Sequence, residues 1–394
     1  MNKRKFWFLL AVTYVFLLLN EPYAFNWIIP SLGFSVTAVV FLVFLFFFIG
    51  SLRRTVKVAL PSSVTLPLLF TGFIWSFYAI FHSDTSYLTR IFILLITYFF
   101  LLILYRSGDI YRFWVINNRF ILLQSILSSI CLVLVGIGLL KPLMVVSPIL
   151  GSNSEFYFWG LCFSKTYIGN LIRPSGFFDE PGALASWAIY GLMFNYAFIK
   201  DRVVDKYIPY FTASTLSVAY FIQLGMYLIM KNVKRIYKLV PIGALLFLAI
   251  GFVNTTKGTD FDLYEKTIAR FEYSDEGVIA GNSRLSGIDN SKKMFKQNPI
   301  FGMGGQKFAK SQNDVSDNPY EILAKDGLIG MLISYLPLVM VLFVNRRREV
   351  VIALLVVAAG YLQRPLHINF VHDLYIWSFL LFAIIDAKKR QGTA

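Results

Sequence analysis

The residues best suited to chemistry in this chain stand together in the stretch RPSGFFDEPGALASW, residues 173–187. Arg173 can bind phosphate oxygens in pairs through its planar guanidinium group. Glu180 can act as a general base, because an apolar setting raises the proton affinity of a carboxylate. Pro181 favours a helix start, so Glu180 should stand at a helix N-terminus, where a plain N-cap is the alternative interpretation.

A second region repeats this design further along the chain. Arg284-Leu-Ser-Gly287 has the spacing of Arg173-Pro-Ser-Gly176, and Asp317-Asn318-Pro319 precedes an apolar run as Asp179-Glu180-Pro181 does. Asn318 and Glu321 have the spacing of a capping box, so a cap is the alternative interpretation of Asn318. The repetition predicts two arginine-bearing turns, shaped by their glycines, that together bind one anion. The candidates for contacting the substrate there are Gly176, Gly287, Asp317 and Asn318.

Four further residues are candidates for binding an anionic substrate. Arg270 lies in the segment FDLYEKTIARF, where anchoring to lipid headgroups is the alternative. Arg364, His367 and His372 lie in the short segment RPLHINFVHD, and simple hydrogen bonding is the alternative for the histidines. Gly302-Met-Gly304-Gly305 could bring backbone N–H groups to a phosphate, although a structural turn explains it more simply.

The sequence predicts neither a metal site nor a cofactor. No spacing of His, Cys, Asp and Glu fits a metal centre, and no nucleotide-binding Gly-Lys-Ser/Thr loop occurs. Cys131 in an apolar run and Cys162 in a loop predict no disulfide framework. The net charge of +15 is explained by basic loops between apolar segments, so no nucleic-acid partner is expected.

The composition places these residues in a membrane protein. Of the 394 residues, 57% are hydrophobic and only 15% are charged, far from the balance of a soluble domain. The apolar N-terminal run lacks a small-residue cleavage site and is interpreted as a retained first span. We predict an all-α, polytopic bundle whose full spans lie near residues 6–22, 32–50, 64–81, 89–105, 119–140, 181–199, 238–253, 319–344, 350–363 and 374–387.

Basic residues predict how this bundle is oriented. More than half of the 37 lysines and arginines cluster in alternate loops, as the positive-inside rule requires, which predicts cytoplasmic termini. Residues 207–230 have basic clusters on both flanks and a hydroxyl-rich centre, TASTLS. They are predicted to form a re-entrant hairpin, and one ordinary span that breaks the charge rule is the alternative.

This orientation divides the chain into five parts. Residues 1–140 form a five-span half, and residues 141–180 a first large outer loop. Residues 181–253 contain the hairpin, residues 254–318 form a large outer loop with short helices over 261–271 and 284–297, and residues 319–394 form the last three spans. Every candidate residue named above falls on the outer side.

The motifs resemble those of bacterial surface-polysaccharide polymerases. RPSGFFDEPGALASW is similar to their Arg-x-x-Gly-x-Phe-x-Glu-Pro signature. The runs NSRLSGIDNSKKMFKQNPIFGMGGQKF and DNPYEILAKDGLIG are similar to the large periplasmic loop of the O-antigen polymerase and ligase superfamily. The resemblance covers roughly residues 165–345. The ligases usually carry a histidine where this chain has Asp317, which favours a polymerase of the Wzy type.

The resemblance implies a GT-C-like helical bundle with a catalytic periplasmic loop in the bacterial inner membrane. It implies transfer of a glycan between undecaprenyl-pyrophosphate-linked oligosaccharides, as donor and acceptor, without metal or nucleotide. Arg173 and Arg284 would bind the pyrophosphate, and Glu180 would be the acidic residue of the signature. Membrane lipid, a chain-length regulator and a flippase are the implied partners. An O-antigen ligase and a lipid-linked oligosaccharide flippase or transporter are the alternatives.

Overall fold

The structure is a computed structural model, which carries side chains. It describes residues 59–146, 155–168, 171–178, 180–233, 251, 254–255, 257, 285–311, 318, 320–363 and 370–392. The predicted spans near 6–22 and 32–50 lie outside these residues, as does the predicted helix over 261–271. Of the predicted span 238–253, only residue 251 is described.

Helices make up most of the described chain. They are α1 Ser62–His82, α2 Ser86–Arg106, α3 Ile110–Gly136, α4 Pro181–Phe194, α5 Arg202–Phe211, α6 Val218–Asn232, α7 Leu285–Gln297, α8 Gly305–Ser311, α9 Glu321–Val344, α10 Arg348–Gln363 and α11 Phe370–Gln391. One π-helical turn, Asn195–Ile199, extends α4. The short helix predicted over 284–297 is confirmed as α7.

Six of these helices are long and apolar enough to cross a membrane: α1, α2, α3, α4 with its π turn, α9 and α11. The chain is therefore a helical membrane protein. The predicted span 350–363 matches α10, but α10 has only 16 residues and is not among the six. The predicted span 119–140 is displaced, since α3 begins at Ile110 and carries Arg112 and Arg119 on the helix itself.

The expectation of a wholly helical chain is wrong for the segment that was predicted to form the first outer loop. Residues 141–180 contain a four-stranded antiparallel sheet in which each strand pairs with the next along the chain. Its strands are β1 Met144–Val146, β2 Phe156–Phe158, β3 Phe163–Ile168 and β4 Leu171–Gly176. The sheet packs on α3 through β4, so it fixes the strand that carries Arg173.

Residues 202–232 double back on themselves as a hairpin. A 3-10 turn, Thr212–Thr215, and Leu216 in a left-handed conformation (φ 50°) join α5 to α6. The Tyr220 hydroxyl donates to the Ile208 carbonyl at 3.1 Å, and Lys231 forms an ion pair with Asp205 at 3.2 Å. The two short helices were predicted, although α5 begins earlier than residue 207. The Asp201 side chain accepts from the Val203 amide and starts α5 there. That the hairpin enters and leaves a membrane on one side stays a prediction.

Most basic clusters of the described chain meet at one end of the bundle, here called the basic end. Arg119 pairs with Asp201 at 2.7 Å, which joins α3 to the start of α5. Arg347 donates to Asp386 at 2.8 Å and to the carbonyl of Ala197, which joins α10 to α11 and α4. Arg348 donates to the carbonyl of Met230 at 2.8 Å. The predicted alternation of basic loops agrees with this gathering.

Aromatic side chains fill the core between α3, α4 and α11. Trp114 stacks on Phe194 with ring centroids 4.4 Å apart, and Tyr375 meets Trp114 edge-on at 5.7 Å. The Tyr375 hydroxyl donates to the Tyr190 carbonyl at 2.9 Å, so its polar group is satisfied inside the apolar core. This packing holds α4, and therefore the residues that precede it, against the rest of the bundle.

Candidate functional site

Arg173 lies on the edge strand β4, at the tip of the hairpin. Its Nη2 donates to the Leu216 carbonyl, with 3.3 Å between the two atoms. Beside this contact, the Ser125 and Thr212 hydroxyls lie 2.9 Å apart and the Ser129 hydroxyl donates to the Phe211 carbonyl. The TASTLS tip thus meets α3 through hydroxyl groups and β4 through the Leu216 carbonyl. Sequence reasoning did not predict this contact with Arg173, and no spacing along the chain indicates it.

Gly176 has a structural reason to be glycine. Its φ is +61°, and a Cβ atom at this position would lie 2.9 Å from Gln124 Oε1. Phe177 donates its backbone N–H to that same Oε1 at 3.1 Å. The Ser175 hydroxyl lies 2.7 Å from the Phe178 carbonyl oxygen and closes the turn. The predicted role of Gly176 in shaping an arginine-bearing turn agrees with this geometry.

Glu180 stands at the N-terminus of α4, as predicted. Its backbone is extended (φ −148°, ψ 154°), Pro181 opens the helix, and the Glu180 carbonyl accepts from the Ala183 amide at 3.1 Å. The Glu180 side chain accepts no capping hydrogen bond from the first turn. A plain N-cap therefore does not explain the carboxylate. Its side chain is half-buried at the end of α4 that is opposite the basic end.

The second predicted segment is built differently from the first. Gly287 lies in α7, so its backbone is helical where that of Gly176 is left-handed. Asn318 is fully buried: its Oδ1 accepts from the Tyr320 amide at 3.0 Å, and its Nδ2 donates to Ser291 Oγ at 3.1 Å. The N-cap of α9 is Tyr320, so Asn318 lies two residues before the cap, where its side chain orders the turn that leads into the helix.

Five candidates fall outside the described residues: Arg270, Arg284, Asp317, Arg364 and His367. The pairing of Arg173 with Arg284 therefore stays a prediction. His372 is described, in the first turn of α11. Its ring packs 4.9 Å from that of Trp187 and 6.0 Å from that of Tyr361. Trp187 lies two turns along α4 from Glu180, so His372 is roughly 10 Å deeper than the start of that helix.

A buried ionic cluster, which the sequence analysis missed, fixes a break in α9. Asp326 accepts from Arg90 Nη1 and from the Tyr87 hydroxyl, each at 2.8 Å, and its carbonyl accepts from the Tyr78 hydroxyl at 2.7 Å. The Arg90 guanidinium also lies 4.4 Å from the ring centroid of Trp75. An arginine and an aspartate within two apolar runs were the available signal, because charges at membrane depth are paired or functional.

The break itself is at Gly327, and the glycine-rich loop 302–305 fills it. Gly327 has φ 68° and ψ −170°, which ends the helical path of α9. Met303 and Gly304 donate their amides to the carbonyls of Ala324 and Lys325, both at 3.0 Å. A Cβ atom on Gly302 would lie 2.4 Å from the Lys325 carbonyl oxygen. These amides bond within the protein, so the loop is a structural turn and not a phosphate cradle.

Asp84, in the turn between α1 and α2, links that turn to the glycine-rich loop 302–305 and the helix that follows it. Its Oδ1 accepts from the Ser86 amide at 2.8 Å and its Oδ2 from the Gln306 amide at 2.7 Å. Burial raises the pKa of this carboxyl group, but the hydrogen bonds from Gln306 and Ser86 outweigh that effect and hold the pKa below its usual value. Asp84 thus holds the start of α8 against the start of α2.

A small polar cavity lies beside the ionic cluster, with about 20 Å³ open to water. Arg90 and Asp373 face it together with Thr71 and Ser334. This volume is enough for a water molecule and too small for a sugar or a phosphate. Among the described residues, no group of three or more His, Cys, Asp and Glu side chains is placed to hold a metal ion.

Comparison with known proteins adds no relative. The chain matches no protein-family model, no curated protein and no solved structure. The class of this protein is therefore described from its fold and site alone. It is a helical membrane protein with a half-buried carboxylate at the start of a membrane-length helix and an arginine on the preceding strand.

Proposed function

We propose that this protein is a polysaccharide polymerase of the bacterial inner membrane, with its site on the periplasmic face. It transfers a growing glycan from undecaprenyl pyrophosphate onto a new lipid-linked repeat unit. The observation that carries this proposal is Glu180. It begins a helix of membrane length, its carboxylate takes no part in capping that helix, and Arg173 lies on the strand just before it.

Glu180 is the proposed general base. It removes the proton from the acceptor hydroxyl, whose oxygen then attacks the anomeric carbon of the donor glycan. The bond between that carbon and the pyrophosphate oxygen breaks, and the pyrophosphate leaves with its electron pair. Because the leaving group is already activated, the reaction outside the cytoplasm needs no further energy source. Half-burial suits this role, since it fixes the side chain at the end of α4 and leaves it accessible to a substrate.

Arg173 and Arg284 are the proposed stabilisers of the leaving pyrophosphate. A guanidinium group bonds two phosphate oxygens at once, and its charge offsets the charge that develops as the glycosidic bond breaks. The half-buried side chain of Arg173, fixed by the Leu216 carbonyl, supports this assignment, because a held donor needs little reorganisation during the reaction. Arg270, Arg364, His367 and His372 are proposed to contact the pyrophosphate or the sugars nearby.

The test is polymer formation by purified protein in proteoliposomes supplied with lipid-linked repeat units. We expect Glu180→Gln, Arg173→Ala and Arg284→Ala each to abolish extension while the protein stays in the membrane. Glu155→Gln is the matched control, because Glu155 is an exposed carboxylate of the same outer region. Full-length polymer from Glu180→Gln would overturn the proposal. Transfer to a lipid A acceptor instead of a repeat unit would identify a ligase, and lipid-linked units moved without extension would identify a flippase.

A further inference from the structure

Cys131 and Cys162 are the only two cysteines of the chain, and the fold brings them together. Cys131 lies on α3, and Cys162 directly precedes β3. Both are fully buried in one small apolar cluster with Trp159 and Ile172, between α3 and the sheet. The two thiols are thus neighbours within one buried cluster that joins α3 to the sheet.

Regular structure holds both residues in place. Cys131 is inside a helix, whereas Cys162 ends the tight turn between β2 and β3. The Trp159 amide donates to the Cys162 carbonyl at 3.0 Å, and Gly160 provides the left-handed conformation (φ +83°) that the turn needs. The Trp159 indole donates to the Ser164 hydroxyl at 3.0 Å and fixes the turn further. Two thiols that rigid elements hold in the same small cluster are well placed to be bridged.

We propose that Cys131 and Cys162 form a disulfide bond that fastens the outer sheet to α3. Two S–H bonds are replaced by one S–S bond, and the two protons and two electrons pass to a protein disulfide of the extracytoplasmic space, which becomes a dithiol. The proposal rests on the orientation given under the proposed function, since that orientation exposes the sheet to an oxidising compartment. It does not depend on glycosyl transfer.

The bond forms before the sheet closes over α3. The hydrogen bond to Cys131 and burial both raise the pKa of the Cys162 thiol, so the folded protein contains little of the thiolate that reacts with an oxidant. Full burial also keeps an external oxidant away from both sulfurs once the cluster has packed. The same packing afterwards protects the bond from reductants. Because β4 carries Arg173 and packs on α3, the disulfide also secures the strand that presents this arginine.

A thiol-trapping assay on the full chain tests the pairing. Cells are quenched with acid, the protein is unfolded in detergent, and free thiols are blocked with N-ethylmaleimide. Reduction and PEG-maleimide then reveal the thiols that had been oxidised. We expect the wild-type chain to gain two PEG chains, and Cys131→Ser and Cys162→Ser to gain none. The assay reads unfolded protein, so a variant that folds poorly still gives an answer.

Two results would overturn the pairing. Wild-type protein that gains no PEG has two free thiols, and single variants that gain one PEG chain have cysteines oxidised by other partners. A further variant tests separately on which side of the membrane the sheet lies. It carries Glu155→Cys in a Cys131→Ser/Cys162→Ser background, so that residue 155 is its one cysteine. Its labelling by a membrane-impermeant maleimide in spheroplasts confirms an outer sheet, so unpaired wild-type thiols would then refute the disulfide alone. Absence of this labelling would refute the orientation and the disulfide together.

Discussion

The helices α4 and α9 begin with similar residues and yet are built in opposite ways. Asn318-Pro319 precedes α9, and the buried Asn318 side chain accepts from Tyr320 and donates to Ser291. Glu180-Pro181 begins α4, and the half-buried Glu180 carboxylate makes no capping bond. The difference teaches that a polar residue before a proline has a structural role when its own hydrogen bonds close the helix end. At Glu180 no side-chain capping bond closes the helix end, and its role toward substrate stays a proposal.

The two helices also differ in how they continue. α4 runs unbroken from Pro181 into its π turn, whereas α9 breaks at Gly327 soon after it begins. The first turns of α9 bind two other parts of the chain. Asp326 forms an ion pair with Arg90, and the carbonyls of the two residues before Asp326 accept hydrogen bonds from the loop 302–305. We therefore expect changes near the start of α9 to alter stability and a change at Glu180 to alter activity.

The largest expected effect separates these two roles at Glu180. Glu180→Asn should lower the rate of polymer formation by about 10²- to 10⁴-fold, the usual worth of a general base. The melting temperature should not fall, because asparagine is among the best N-cap residues. Polymer assays in proteoliposomes and thermal unfolding in detergent measure the two quantities. An active variant, or one that loses both activity and stability, would contradict the prediction that the start of α4 serves activity and the start of α9 serves stability.

Asp326→Ala should cause the largest loss of stability. It leaves the Arg90 charge buried without its carboxylate, which costs about 3–5 kcal/mol. The matched control is Arg119→Ala at the basic end, where the Arg119 side chain is 60% exposed and its pair with Asp201 contributes about 0–1 kcal/mol. Free energies of unfolding in mixed micelles compare the two variants. Equal losses would show that the break in α9 does not depend on its buried ion pair.

Asn318→Ala should have an intermediate effect on stability. It removes the acceptor of the Tyr320 amide and the donor to Ser291 from a buried site, at a cost of about 1–2 kcal/mol. Transfer rate per folded molecule should stay within about twofold of the wild type, since an unchanged barrier leaves the rate unchanged. A double-mutant cycle with Ser291→Ala isolates the hydrogen bond between the two side chains. A large loss of activity at unchanged stability would contradict this prediction, because it would mean that Asn318 acts on the substrate, as proposed for Glu180.

The smallest effect is a dependence of stability on pH at Asp84. Its pKa is lower in the folded state than in the unfolded state, so the carboxylate contributes stability that is complete above the unfolded value. That contribution is lost as the pH falls below about 4 and approaches the folded value. Unfolding should become easier over this range in the wild type more than in Asp84→Asn, which cannot titrate. Parallel pH profiles for the two proteins would contradict the prediction.

The sequence was informative where the length of an apolar segment is enough to decide the structure. The long, mostly apolar runs predicted α1, α2, α4, α9 and α11 close to their bounds. The charge rule with a hydroxyl-rich centre predicted the two short helices of the hairpin. Glu180 at the start of α4 was predicted from Pro181. These signals are local, because they depend on burial in lipid and on the backbone chemistry of neighbouring residues.

The sequence was uninformative where the structure depends on distant contacts. Arg90 and Asp326 are 236 positions apart, so no spacing could indicate their pairing. The contact of Arg173 with Leu216 likewise needs the fold. The sheet had a weak local signal, the aromatic and β-branched run around Gly160, which the expectation of helices obscured. The predicted span starts at residue 119, whereas α3 starts at Ile110 and carries Arg112 and Arg119, because long basic side chains can reach water from a helix.

The neighbour-to-neighbour order of the four strands has a consequence for biosynthesis. Every strand finds its partner in the segment that left the ribosome immediately before it, so loop closure needs only short stretches of chain. The sheet can assemble as soon as residues 144–176 have been synthesised, before α4 has followed. The part of the packing surface of α4 that β4 and α3 provide is then formed when α4 arrives, whereas the part that α10 and α11 provide is added later.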